Sequence, residues 1–549
     1  MTTVPAASES SPSTFAPLRH TVFAVLWAAT VMGNTGTFMR DVASGWLVTD
    51  LSASPAAVAA IQAAGTLPIF LLSIPAGVLS DILDRRRFLI AIQLMLGAVS
   101  LTLCILALTG LMSVPALLSL TFVGGIGAAL MGPTWQSIVP ELVPRSELKG
   151  AVALNSLGIN IARAIGPAVG GLLIATVGAA VTYGVDVVSY ALVIAALVWW
   201  KRAPGVDDGL AESFGGAMRA GYRYARHSRE LHVVLWRALF FFAFASAIWA
   251  LLPLIARQLL GGGASFYGLL LGSIGAGAIL GATVLPRIRA SLGADGVMLG
   301  AALVIAAASA TLALSPPRWS AVVILLAMGG AWIAALTTLN ATAQAVLPNW
   351  VRGRGLAVYL MVFNGAMAGG SILWGLVAQE VGIKWTLLIS ACALVAAALF
   401  ARSIPLPSGD DDLAPSNHWP EPVVAAPVVG DRGPVLIQIE YRIDPTNREP
   451  FLAAISKLAK TRLRDGAFNW GITEDAADPS VFLEWFMTES WAEHLRQHRR
   501  TSLADIDIHS EVRRFQVGEH DPSVRHYLAA TPGSGKVALA GDPPFGDPV

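Results

Sequence analysis

Gly77-Val78-Leu79-Ser80-Asp81-Ile82-Leu83-Asp84-Arg85-Arg86-Arg87-Phe88-Leu89 decides how this chain is read. Two aspartates and three successive arginines are wedged between long apolar runs, one from about Ser54 to Leu79 and one from Phe88 to about Leu111. A helix needs roughly 20 apolar residues to cross a bilayer, and both runs are long enough. A short, arginine-rich connection between two such helices is retained on the cytoplasmic side, because positive charge resists translocation.

Composition points the same way. The 549 residues are 55% hydrophobic and only 13% charged, with a mean hydropathy of +0.62. A soluble domain carries about 25% charged residues. The 53 glycines suit close packing of membrane helices. A net charge of +1 points to no partner, and no nucleic-acid partner is expected. Both cysteines, Cys104 and Cys392, lie inside apolar runs and read as reduced packing residues. Residues 1–17 are rich in Ser, Thr, Pro and Ala, carry no basic residue and lack the start of a signal peptide. They read as a disordered cytoplasmic tail.

Apolar segments recur at about 19–48, 55–80, 88–111, 114–139, 150–177, 180–200, 233–257, 265–287, 295–315, 319–346, 355–380 and 384–402. About twelve transmembrane helices follow. Basic residues alternate sides. Arg85–Arg87, Arg145, Lys149, Lys201, Arg202, Arg219, Arg223, Arg226, Arg229, Arg287, Arg289, Arg352, Arg354 and Arg402 fall on one face, and little beyond Arg257, Arg318 and Lys384 on the other. Both termini are therefore expected in the cytoplasm of a multi-pass protein. The halves echo each other, since Gln136-Ser137-Ile138-Val139-Pro140 corresponds to Gln344-Ala345-Val346-Leu347-Pro348. Each is followed by a basic loop and a glycine-rich helix, as in parallel six-helix repeats. The expected domains are an N-terminal tail at 1–17, six-helix bundles at 18–200 and 233–402 and an inter-half link at 201–232. Beyond them come a flexible linker at 403–434, a soluble α+β domain at 435–526 and a disordered tail at 527–549. In the link, Met218, Tyr222 and Ala225 oppose Arg219, Arg223 and Arg226, which fits either an amphipathic helix on the membrane surface or a solvated one.

These features together resemble the major facilitator superfamily, whose loop signature is Gly-x-Leu-x-Asp-Arg-x-Gly-Arg-(Arg/Lys). Gly77, Leu79 and Asp81 match it and Arg85, Arg86 and Arg87 occupy its basic end, whereas the first Arg and second Gly of the pattern fall near Ile82 and Asp84. Gly166-Pro167-Ala168-Val169-Gly170-Gly171 resembles the core of the family's antiporter motif, although its upstream glycines fall on Ala153 and Ala162. Gly125-Ile126-Gly127-Ala128-Ala129 matches the fourth-helix signature, but Thr121 stands where the family has Arg, which weakens the proton-coupling expectation. The resemblance covers about 18–402, is nearest the enterobactin-exporter-like, transmembrane secretion effector branch, and implies an exporter in the bacterial plasma membrane. Amphiphilic substrates of drug or siderophore type are implied, moved by alternating access between two rocking halves, with proton coupling as one mode.

In that reading Gly77, Asp81 and Arg85–Arg87 form an inner gate. Gly166, Pro167, Gly170 and Gly171 form a hinge or a leak-tight seam, plain packing being the alternative. Charges inside membrane helices are costly unless they face a cavity or a partner. Arg163 is thus a cavity or gating candidate, Asp186 its candidate counter-ion, and Asn34, Arg40, Asp41 and Asn160 further candidates, with Asp41 expected at the outer mouth. Arg237, Asn340, Gln344 and Asn364 lie at cavity depth in the second half.

The C-terminal region alternates apolar and polar at 435–441 (strand), is helical at about 446–463, and places strands at 468–473 and 481–487. Ser490 with Glu493 signals a capped helix, and 511–517 is expected as the last strand. Tyr441, Arg464-Asp465-Gly466-Ala467, Trp470 and Glu489 to His498 resemble the antibiotic-biosynthesis-monooxygenase-like ferredoxin fold, which implies dimerisation. His494 and His498, one turn apart, read as a surface pair beside a solvated basic face at Arg496, Arg499 and Arg500. No phosphate-binding loop and no Cys/His metal spacing occurs, so neither cofactor nor metal is expected. The chain reads as a transporter and not an enzyme. Two alternatives stand beside that reading: an active monooxygenase fused to the transporter, and a non-transporting membrane scaffold.

Overall fold

The computed structural model describes residues 15–201, 214–408, 412–413, 416, 428, 432–518 and 521–530; the side chains of Val78, Asp81, Ile82, Arg145, 214–218 and Ala220 lie outside that description. The expected tails and the 403–434 linker fall largely outside the described residues. The chain divides into two units: Met1–Gly209, Val233–Ala341 and Ala357–Leu406 form the first, and Leu210–His232, Thr342–Leu356 and Pro407–Val549 the second.

The first unit is helical: α1 (Thr21–Leu51), α2 (Pro55–Ile82), α3 (Arg85–Leu108), α4 (Val114–Leu142), α5 (Leu148–Val177) and α6 (Ala179–Trp199), then α8 (Arg229–Leu254), α9 (Ala264–Ala313), α10 (Arg318–Ala345) and α11 (Arg352–Ala401). Ten helices among the described residues are long and apolar enough to span a membrane. Their starts follow local chemistry. Ser54 and Ser113 accept hydrogen bonds from Ala57 N and Ala116 N, Asp84 accepts from Arg87 N, and Pro55 and Pro115 occupy first-turn positions where no N–H partner is needed. Both α9 and α11 are 50 residues long, yet each is interrupted by a glycine with left-handed backbone, Gly293 (φ 67°) and Gly382 (φ 82°). Glycine adopts that conformation without a Cβ clash, so each helix ends and restarts there.

Packing in the first half pairs α2 with α4, α3 with α6, and α1 with both α5 and α6. Helix α5 also packs along α9, across the two halves. Small residues make these approaches possible: a side-chain carbon on Gly125 would meet Gly65 O at 2.7 Å, and one on Gly166 would meet Phe38 Cβ at 2.7 Å.

The second unit holds a four-stranded antiparallel sheet, β1 (Val435–Arg442), β2 (Phe468–Glu474), β3 (Val481–Thr488) and β4 (Ser523–Leu528), in the order β2-β3-β1-β4. Helix α12 (Arg448–Asp465) joins β1 to β2, and α13 (Trp491–Arg500) and α14 (Ile506–Arg513) lie between β3 and β4. Val435, Ile437, Ile439 and Tyr441 alternate inward and pack with Phe451, Ile455, Leu458, Phe482 and Phe486. The unit also contains α7 (Phe214–His227), which packs on α12.

Two expectations for this unit need correction. The segment 511–517 is not the last strand, because α14 runs into it as far as Arg513, a turn and an isolated bridge at Gln516 follow, and β4 begins only at Ser523. Ile508, Val512 and Phe515 recur every three or four residues, a helical period, and a capping box at Ser502 and Asp505 begins the helical stretch. Nor are His494 and Arg500 on a solvated face. They are only 2% and 6% exposed. Arg500 is neutralised by Glu493 at 2.5 Å, and the His494 ring meets His498 edge-on at a centroid distance of 4.6 Å and His526 at a tilt at 4.7 Å.

Candidate functional site

A buried polar cluster sits where α1, α3 and α6 meet. Helical spacing puts Thr37, Arg40 and Ser44 on one side of α1, and Tyr183, Asp186 and Tyr190 on the facing side of α6. Arg40 Nη1 donates to the Tyr190 hydroxyl at 3.1 Å and lies 3.7 Å from Asp186 Oδ2, while Nη2 donates to Asp41 Oδ1 at 3.2 Å. Ser100 on α3 donates to Asp186 Oδ2 at 2.6 Å and Ser189 to Oδ1 at 3.3 Å. Thr37 and Tyr190 share a hydroxyl contact at 2.9 Å, and Ser44 and Tyr183 one at 3.2 Å. The absence of a side chain makes the room: any carbon on Gly36 would collide with Asp186 and Ser189, while one on Gly124 would just touch the guanidinium at 3.8 Å.

The cluster corrects one expectation. The partner of Asp186 is Arg40, not Arg163. Asp186 is fully buried, whereas the Asp41 side chain is 56% exposed. One guanidinium thus links an exposed carboxylate to an interior one. Breaking a buried ion pair by removing one partner costs about 3–5 kcal/mol, because the survivor is left uncompensated.

Arg163 lies elsewhere, half-buried on α5 with its guanidinium 5.9 Å from the Phe38 ring centroid. Asn160, one turn earlier, is half-buried and donates to Ser156 O at 2.9 Å. Asn34 is half-buried one turn before Phe38 on α1. Just past Arg163 runs the seam between the halves. Carbons on Gly166 and Gly170 would strike α1 at Phe38 and Met39, while one on Gly171 would lie 2.7 Å from Gly268 Cα of α9. One on Gly268 would meet Pro167 O at 2.6 Å, and one on Gly275 would meet Ala164 Cα at 2.9 Å. All four glycine-proline motif positions are buried.

Further along, toward the ends of α1 and α8, Gly45 faces the Tyr267 hydroxyl, Trp46 stacks with Tyr267 at 6.0 Å, and Arg257 bonds Thr49 Oγ1 at 2.8 Å and pairs with Asp50. Ser54 donates to Gln379 at 3.2 Å. Arg257 and Tyr267 are residues that sequence reasoning missed. The only signal was that Arg257 is one of very few basic residues on its side.

In the second half, Arg237 pairs with Asp295 and donates to Ala401 O at 2.5 Å, tying α8 to the later segments of α9 and α11. Asn364 is buried and donates to Leu360 O at 2.8 Å within its own helix. Asn340 is half-buried, and Gln344 is exposed near the end of α10. Among the described residues, no hydrogen bond or ion pair joins Arg237 or Asn364 to Arg163 or Arg40.

The arginine loop is tied inside the first half. Arg85 binds Glu141 Oε1 at 2.7 Å and Ser137 O at 3.2 Å, and Arg86 donates to Leu197 O and Val198 O at 2.8 and 2.7 Å, satisfying carbonyls at the end of α6. Arg87 enters the helix through its N–H on Asp84. Among the described residues, nothing lies within 4 Å of a carbon added to Gly77. The Asp81 side chain lies outside the described residues.

Ten apolar spans, close glycine contacts between the first and second sets of helices and a polar cluster buried within the first set define a multi-pass membrane protein of the transporter type. The chain matches the transmembrane secretion effector family over residues 12–533 and belongs to it. It is thus an efflux-type transporter of small molecules within the major facilitator superfamily. It is 22% identical over 368 residues to the staphyloferrin A transporter of Staphylococcus aureus, covering 66% of this chain and 90% of that protein. It is 24% identical over 444 residues to the multidrug efflux pump Tap of Mycobacterium bovis, covering 74% and 99%. A crystal structure of a bacterial homologue of the human lysosomal transporter Spinster, inward-facing and occupied, superposes with a TM-score of 0.55 at 16% identity, covering 70% of this chain and 97% of that one. That likeness establishes the fold.

Proposed function

We propose that the protein exports amphiphilic small molecules of drug or siderophore type from a bacterial cell by alternating access across the plasma membrane, with both termini in the cytoplasm. The observation that carries this is where the halves touch. The contacts named above run from Ala164–Gly275 at mid-span to Asp50–Arg257 at one end. A bundle closed at one end by close glycine contacts and one exposed ion pair is poised to rock about that seam. Reading each interrupted 50-residue helix as two spans gives about twelve, in two sets of six. The end closed by Asp50 and Arg257 is then the outer one, and the charged Arg85–Arg87 end opens inward.

Proton coupling is read onto Asp41, Arg40 and Asp186. A guanidinium shared by two carboxylates changes partner when either is protonated, which supplies the two-state element that coupling requires. The second unit has the β-α-β-β-α-β order of ferredoxin-like domains, and we read it as a monooxygenase-like module without catalytic duty that is able to dimerise. The experiment is accumulation of fluorescent drugs and a catecholate siderophore in cells expressing the protein, with and without a proton uncoupler. Lower accumulation than in empty cells, abolished by the uncoupler, is expected. Equal accumulation overturns the export reading.

A further inference from the structure

Four other arginines near or within the apolar helices have donors engaged. Arg40 is shared by Tyr190, Asp41 and Asp186, Arg237 by Asp295 and Ala401 O, and Arg257 by Thr49 and Asp50, while Arg318 donates to Leu260 O and Gly261 O. Arg163 differs. Among the described residues its guanidinium has no hydrogen bond and no acidic partner, only the Phe38 ring at 5.9 Å. A ring face attracts the cation but leaves five N–H donors unused. At membrane depth such a group costs several kcal/mol unless water or a ligand meets it. Ser156, Asn160 and Arg163 recur at i, i+4 and i+7, which sets them on one polar face of α5. Arg163 O and Ala164 Cα lie at the level where Gly275 of the other half approaches, so whatever binds Arg163 sits beside the moving seam.

We propose that Arg163 is the anion-recognition point of the transport site, taking a carboxylate of an amphiphilic substrate in its two-pronged donor fork while Phe38 packs the adjoining apolar surface. The proposal rests on the export reading and names its substrate class. A planar guanidinium matches a carboxylate with two parallel hydrogen bonds, which a lysine does not reproduce. The test uses the full-length protein in proteoliposomes with rhodamine B, which carries a carboxylate, and its ethyl ester, which does not. Expected is a loss of tenfold or more in rhodamine B transport in Arg163→Gln, partial recovery in Arg163→Lys, and ester transport within twofold of wild type, which also shows that the variant is folded. Acid and ester falling together, or neither falling, overturns the proposal and leaves export intact. Wild type that moves the ester but not the acid does the same. Wild type that moves neither overturns the export reading with it.

A different set of contacts, all within the second unit, carries an independent inference. Arg223 of α7 bonds Glu489 at 2.6 Å and Glu493 at 3.3 Å, and Arg219 bonds Glu489 at 3.1 Å. Arg464 lies over Tyr224 at 5.8 Å and Arg500 over Trp350 at 4.3 Å. Tyr224 in turn donates to Val346 O at 3.1 Å and meets Trp350 edge-on at 5.7 Å. The sheet domain therefore grips both the inter-half helix and the connection between α10 and α11. Tyr222 stays exposed, so the gripped face of α7 is that of Gly221 and Tyr224. We infer that the domain is a latch that restrains the transport cycle through these two connections. In a chain with Cys104 and Cys392 replaced by Ser, Arg219→Cys and Glu489→Cys would be joined by a reductant-cleavable bismaleimide. Expected is transport slowed at least threefold when linked and restored on cleavage. Equal rates before and after cleavage, or failure to link, overturns the latch. Loss of transport in the unlinked double-cysteine chain overturns it as well, since release should not stop the cycle.

Discussion

Gly171 on α5 and Gly268 on α9 meet backbone to backbone, and a side-chain carbon built on either would lie 2.7 Å from the Cα of the other. Helices from opposite halves approach here with no side chain between them, at a distance that no real Cβ tolerates. Gly171→Val is expected to lower export at least tenfold while membrane insertion is retained. Gly369→Ala in α11, with open space among the described residues around it, is expected to stay within twofold and to gain up to about 1 kcal/mol of helix stability. Efflux rate and thermal unfolding of the two variants separate a seam from ordinary helix packing.

Removing Arg40 strands a fully buried carboxylate. Arg40→Met alone is expected to destabilise the protein by about 3–5 kcal/mol, and Arg40→Met with Asp186→Leu by clearly less, because no charge is left unpaired. Unfolding midpoints of the single and double variants in the same detergent measure this.

The Arg257–Asp50 contact is 40% and 46% exposed, so its contribution to stability is small, under about 1 kcal/mol. Its effect falls on the balance between states. Arg257→Ala is expected to raise at least threefold the rate at which a thiol reagent labels a cysteine at Val48, which is fully buried in this structure. Unchanged labelling would show that the ion pair does not close this end.

Burial, then neighbouring His498 and His526, push the His494 imidazole down to about 3. Arg462 on α12 adds to the same direction. An unfolded histidine binds its proton near pH 6.5, so below that pH the unfolded chain takes up a proton that the folded domain refuses. Stability is full above about pH 6.5 and falls as pH drops toward 3, by up to about 1.4 kcal/mol per pH unit from this one group. Hydrogen exchange at β1 and β3 in the full-length protein should accelerate between pH 6.5 and 5, and His494→Phe should flatten that dependence.

The spans and their break points were legible because a bilayer leaves one solution for an apolar stretch of this length: every backbone polar group is satisfied within the helix. Hydropathy therefore fixed α1 to α6 to within a few residues, and the Gly-Pro-Gly-Gly run marked a place where helices come close. The sheet domain was legible through its alternation at Val435–Tyr441. The last strand was misplaced because a short amphipathic helix and a short strand differ only in period over a handful of residues.

Side-chain partnership was not legible. Sequence placed Arg163 and Asp186 in membrane helices and required each to find company, but pairing depends on which faces meet. Only the packed structure turned Asp186 toward α1, where Gly36 leaves room for it, gave it Arg40, and left Arg163 beside the seam with Phe38. Sequence by itself determined the helical, multi-pass class, the positions of the apolar spans and the sites of charge, since these follow from local solvation. Tertiary structure alone decided which charges neutralise each other, which glycines touch across the halves, and that α7 belongs with the sheet domain. These depend on rotation about helix axes and on contacts far apart in the chain, which no local pattern encodes.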